Sequence, residues 1–93
     1  MKIQISCQDR HEAAKLASLI FIKDGKDTFI ASILNIYDNE VVISLKDHSA
    51  HSIVLKNSKE VDAFVDFIQS VLDKEDSLLD TKASEETVEI TKG

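Results

Sequence analysis

Apolar and polar positions alternate from the start of the chain. Ile3, Ile5 and Cys7 fall between Lys2, Gln4 and Ser6, the period-two pattern of a strand with one buried face. Asp9, with Glu12 three residues on, has the arrangement of an N-cap and capping box, and Ala13, Leu16, Ala17 and Ile20 then recur at helical spacing. A first helix is predicted from about Arg10. Its end has two readings: a last turn stopped by Gly25 at C′, which is preferred, or a strand entering an Asp24-Gly25 hairpin.

From Thr28 to Leu55 the chain is rich in β-branched residues and is interrupted by two turn-like clusters, Tyr37 to Glu40 and Asp47 to Ala50. The three segments they separate, Thr28 to Ile36, Val41 to Lys46 and Ser52 to Lys56, read as an antiparallel meander. Val41, Ile43 and Leu45 share one face, with Ile53 and Leu55 on a neighbouring strand. Asn57 and Glu60 repeat the capping-box spacing, and Val61, Phe64, Val65, Ile68, Val71 and Leu72 then step by three and four. This second helix carries the strongest pattern in the sequence. Asp62, Asp66, Gln69, Asp73, Asp76 and Asp80 keep the same stepping on its other side, so a helix continued to Asp80 would present one acidic ridge. Phe67, Leu78 and Leu79 fall outside the main stripe, which reads either as a seat for the C-terminal segment or as the contact of a homodimer. No internal repeat or low-complexity tract is legible.

The expected fold is therefore a small single α+β domain in the order β-α-β-β-β-α, an antiparallel sheet packed on one face by two helices. Residues 1–80 form the domain in this reading, and residues 81–93 an acidic tail, with a short strand at 87–91 docked on it.

Composition adds limits. The 93 residues, 43 % apolar and 30 % charged, are enough for one hydrophobic core, and no apolar run reaches the ~18–20 residues that span a bilayer. The single cysteine and the lack of a signal-like N-terminus point to a cytoplasmic protein without disulfides. Charge is unevenly placed. Residues 1–58 hold seven acids and seven bases, while residues 59–93 hold ten acids and four lysines and so carry the whole net charge of −6. An acidic helix and tail joined to a balanced body say more about partners than about fold.

Catalytic chemistry finds little support. His48 and His51 beside Asp47 offer at most half of a zinc ligand set and read as turn histidines. Cys7 and His11 could form a thiolate–imidazole pair, but no orienting group or oxyanion site accompanies them, and the plain reading is a buried strand cysteine beside a surface histidine. With only two glycines, the chain has no phosphate-binding loop, calcium loop or nucleophile elbow. No enzyme activity, metal or cofactor is expected.

Residues His51 to Val61, a strand running into a capped helix, resemble the strand-to-helix end of the PC4-like single-stranded DNA-binding family over about a third of the chain. The resemblance implies a nucleic-acid-binding sheet, although the family's basic, aromatic sheet is missing; a nucleic-acid-binding module using this chain's sheet would have Lys2, Lys46 and Lys56 as its contacts. In size, acidity and composition the chain also resembles small phage-encoded inhibitors of host nucleases and defence systems, some of which mimic nucleic acid. The leading expectation is a small acidic protein that binds and inhibits or regulates a protein partner with a basic surface through Asp62, Asp66, Asp73, Asp76 and Asp80. Direct nucleic-acid binding is the alternative, and the plain reading of the ridge is a solvated face.

Overall fold

The computed structural model describes residues 2–19, 22–23, 27–28, 30–46, 48–72 and 79–92. Along the chain lie β1 (Lys2–Ser6), α1 (Arg10–Leu19), β2 (Ile22–Lys23), β3 (Asp27–Thr28), β4 (Ile30–Ile36), β5 (Glu40–Leu45), β6 (Ala50–Val54), α2 (Ser58–Leu72), β7 (Leu79–Ser84) and β8 (Thr87–Lys92). The α+β class and the starts of both helices are as expected. The expected meander is present as the three-stranded antiparallel sheet β4-β5-β6, but where one sheet was expected a second, β1-β8-β7, stands beside it.

Both helices start where their caps predict. The Glu12 amide donates to Asp9 Oδ1 at 2.9 Å, and the Glu60 amide donates to Asn57 Oδ1 at 3.1 Å. The return half of each capping box goes elsewhere. Glu12 Oε2 accepts the Val54 N–H at 3.2 Å, and Glu60 Oε2 accepts the Ser6 N–H at 3.3 Å. Each glutamate thus satisfies a strand amide of the other sheet, tying that strand to the helix start.

The two sheets meet at a single antiparallel bridge between Cys7 and Leu55, flanked by Gln8 N–H to Val54 O at 3.0 Å and Lys56 N–H to Ser6 O at 3.0 Å. Around this point the molecule has a two-fold-like organisation. A strand and helix (β1-α1) precede the β4-β5 hairpin, and a strand and helix (β6-α2) precede the β7-β8 hairpin. The hairpins are exchanged: β5 pairs with β6, and β8 pairs with β1. Even the bridge follows the relation, since Cys7 N–H donates to Glu86 O at 2.7 Å and Leu55 N–H to Asn39 O at 2.6 Å. One step along the chain carries Cys7 to Leu55, Asp9 to Asn57, Glu12 to Glu60 and Leu16 to Phe64. The sequence hides this repeat because its equivalent positions keep chemical character more than identity, with Ile5 and Ile53 or Glu12 and Glu60 among the few that match.

Packing follows the same plan. α1 lies against β7, β8 and β6, and α2 against β1, β4 and β5. Inward positions of both sheets join both helices in one core that includes Ile5, Leu16, Ile43, Ile53, Leu55, Phe64, Ile68, Val88 and Ile90.

Three expectations are corrected. α1 does not run on to Gly25, since Ile22 pairs with Thr28 and Lys23 with Asp27, as in the strand alternative, while Asp24 and Gly25 themselves lie outside the described residues. The segment expected as an acidic tail is a hairpin: β8, close to the strand expected at 87–91, lies between β1 and β7 and buries Val88 and Ile90. Phe67, expected on a second contact surface, is 4 % exposed and belongs to the core, while Leu79 begins β7 and Leu78 lies outside the described residues.

Candidate functional site

The aspartates expected on one ridge do not share one helix. Asp62 and Asp66 are exposed on α2, one turn apart, with Ala63 and Gln69 on the same solvent side. Asp80 stands on β7, opposite Thr91. Asp73 and Asp76 lie outside the described residues. The apolar stepping of the sequence ends at Leu72, the last residue of α2, and Asp80 belongs to β7. Among the described residues neither Asp62 nor Asp66 has a salt-bridge partner; the two ion pairs there are Lys2–Glu89 at 3.7 Å and Lys15–Glu12 at 3.3 Å.

Glu85 and Glu86, unassigned in the sequence, occupy the exposed turn between β7 and β8. Glu85 has φ of 55° at the first loop position, where a two-residue hairpin usually places glycine. His48 has φ of 72° in the turn between β5 and β6, where Leu45 N–H donates to Ser49 O at 2.9 Å. His48 is exposed, and His51 Nε2 lies 2.9 Å from Ser49 Oγ. Asp47 lies outside the described residues, among which no group of three metal-ligating side chains occurs.

Cys7 is fully buried and His11 is exposed. Burial, reinforced by the charges of Glu12, Glu60 and Asp9, pushes the Cys7 thiol up to about 12. That environment opposes the thiolate a nucleophile requires.

The outward face of the sheets carries Lys2, Gln4, Glu89 and Thr91 on one side of the bridge and Glu40, Ser44 and Ser52 on the other. Its charges are mixed. Phe64 and Phe67 are buried, so neither offers a base-stacking platform of the kind single-stranded nucleic acid uses. Among the described residues no helix is long and apolar enough to cross a membrane.

One feature had no counterpart in the sequence reading. Leu34, Ile36 and Tyr37 are 57, 48 and 54 % exposed, and they are the large apolar side chains that the described residues leave in solvent. All three lie at the end of β4, the outer strand of its sheet, beside a register shift between Ile33 and Asn35. The available signal was a charge-free run from Thr28 to Tyr37 in a chain that is 30 % charged. Comparison with protein-family models, curated proteins and solved structures gives no match.

Proposed function

We propose that the chain is a non-catalytic acidic binding protein that engages a basic surface on a protein partner and blocks or regulates it. The observation that carries this reading is the exposed pair Asp62 and Asp66, unpaired among the described residues, in the part of the chain that holds the whole net charge of −6. Carboxylates four residues apart on a helix stand about 6 Å from each other along its axis, and a cationic groove built for phosphates attracts such charges. A nucleic-acid-binding groove on the partner fits this chemistry, and occupying it is the inhibitor's mode of action in this reading. The mimicry rests on fewer positions than a five-aspartate ridge, because Asp80 belongs to β7.

The test is capture of partners from a lysate of the source organism with wild type and with Asp62→Lys/Asp66→Lys, checking folding by circular dichroism. A partner with a basic nucleic-acid-binding surface, lost with the folded variant, is the expected result. An acidic partner, or capture unaffected by the reversal, sinks the reading. A low-salt fluorescence titration with single-stranded DNA and RNA separates the competing class, since an acidic mimic binds neither.

A further inference from the structure

The third strand of each sheet and the seat of each helix come from the opposite half of the chain. Residues 2–45 supply β1, α1 and the β4-β5 hairpin, and residues 50–92 supply β6, α2 and the β7-β8 hairpin. β6 completes the first hairpin's sheet and β1 completes the second's. Each helix packs chiefly on strands of the other half, and side-chain bonds cross in the same way: Glu12 accepts from Val54 N–H, Glu60 from Ser6 N–H, and the Thr81 hydroxyl donates to Ala17 O. We propose that the half each half requires can be taken from a second copy: the turn between β5 and β6 opens, and two chains exchange halves into a dimer with two complete folds. The proposal is independent of the α2 reading, although such a dimer carries Asp62 and Asp66 twice.

The link between the halves is short and strained. Between Leu45 and Ala50 the chain reverses, with Leu45 N–H donating to Ser49 O at 2.9 Å and His48 N–H to Leu45 O at 3.0 Å, and His48 sits at φ of 72°. Opening gives up these turn bonds and releases a residue with a Cβ from the left-handed region. The rest is rebuilt, because β5 of one copy pairs with β6 of the other in the register that runs from Glu40 with Val54 to Ser44 with Ala50. The closed and exchanged forms thus share one core, and their balance depends on the turn and on concentration.

The faces of the two strands allow a direct join. Leu45 is buried, Ala50 is exposed, and His51 lies opposite Ile43 on the inner face. A chain in which Leu45 is followed at once by Ala50 therefore keeps the alternation of inward and outward positions through β5 and β6. With only Leu45 left between the paired residues Ser44 and Ala50, that chain cannot turn back on itself, since the tightest common hairpin loops need two residues.

Deletion of residues 46–49 is the test. The shortened chain is expected to sediment at twice the monomer mass, with wild-type amide resonances away from the β5-β6 turn. Wild type refolded from urea at high protein concentration should yield the same dimer as a fraction, and refolding at high dilution should yield monomer. Once formed, the dimer should survive dilution until urea unfolds it. His48→Gly removes the gain from opening in both chains and should lower the dimer's association constant roughly tenfold or more. Leu16→Asp and Phe64→Asp each place a carboxylate in the core, so each alone should lack a melting transition. Mixed from urea, the sound first half of the Phe64→Asp chain and the sound second half of the Leu16→Asp chain should complete one fold and restore a transition.

A shortened chain that folds as a monomer overturns the proposal, as does wild type that stays monomeric after concentrated refolding. A dimer that falls apart on dilution alone is a side-by-side pair and overturns it too. So does a mixture of the two core variants that stays unfolded. Should the shortened chain fail to fold, wild-type refolding and the mixture still decide.

Discussion

Burial and three neighbouring carboxylates hold the Cys7 proton more tightly in the folded chain than in the unfolded one. Its thiol moves from an ordinary 9.0 to about 12. Because the folded value is the higher one, this group's contribution to stability is complete below about pH 9 and is lost as pH rises toward 12, at about 1.4 kcal/mol per pH unit inside that window. Urea unfolding followed from pH 8 to pH 11 should show the decline, and Cys7→Ala should lack that component. Iodoacetamide at pH 7.5, roughly a unit below a free thiol's range, should leave the folded protein unmodified and label it in urea. Rapid labelling of the folded chain would show that Cys7 is reachable. Glu12 and Glu60 invite a related test. Replacing either by alanine removes an acceptor from a partly buried strand amide, Val54 or Ser6, and should cost about 1–2 kcal/mol in chemical denaturation. Ordinary surface glutamates would cost less than about 0.5 kcal/mol. Their spacing from Asp9 and Asn57 was legible as caps, but their strand partners lie more than forty positions away in sequence.

At the scale of elements, the turns carry strain that sequence reasoning missed. Two-residue hairpins normally announce themselves through glycine or asparagine, and Glu85-Glu86 has neither. Positive φ costs a residue with a Cβ about 1 kcal/mol relative to glycine. Glu85→Gly and His48→Gly should therefore each raise stability by roughly that amount, visible as a higher melting temperature. Unchanged or lower values would show that these side chains earn their positions by other contacts. The strand β7 was hidden for a related reason. Leu79, Thr81 and Ala83 alternate only weakly, and Thr81 holds its place through its hydroxyl, which donates to Ala17 O at 3.1 Å. By contrast, α2 was fully legible as far as Leu72, because its amphipathic stripe is written locally.

For the whole molecule, the exchanged hairpins make the C-terminal segment structural. Val88 and Ile90 are completely buried, and at about 1.5–3 kcal/mol for each such side chain they account for much of the ~5–15 kcal/mol by which small domains are stable. Removing residues 79–93 should therefore leave β1 without its sheet partner and abolish cooperative unfolding, read as loss of a melting transition. A truncated chain that still melts cooperatively would return the segment to the status of a tail.

The sequence alone determined what depends on near neighbours: the alternation of β1, both capped helix starts, the β4-β5-β6 meander, and a net charge gathered in the last third. Tertiary structure decided which strand completes which sheet, the relation between the two halves, the place of Asp80 on a strand, and the exposure of Leu34, Ile36 and Tyr37. These depend on pairings between distant segments. Local periodicity fixes the face a residue belongs to, but only the pairing of distant strands decides whether that face is covered.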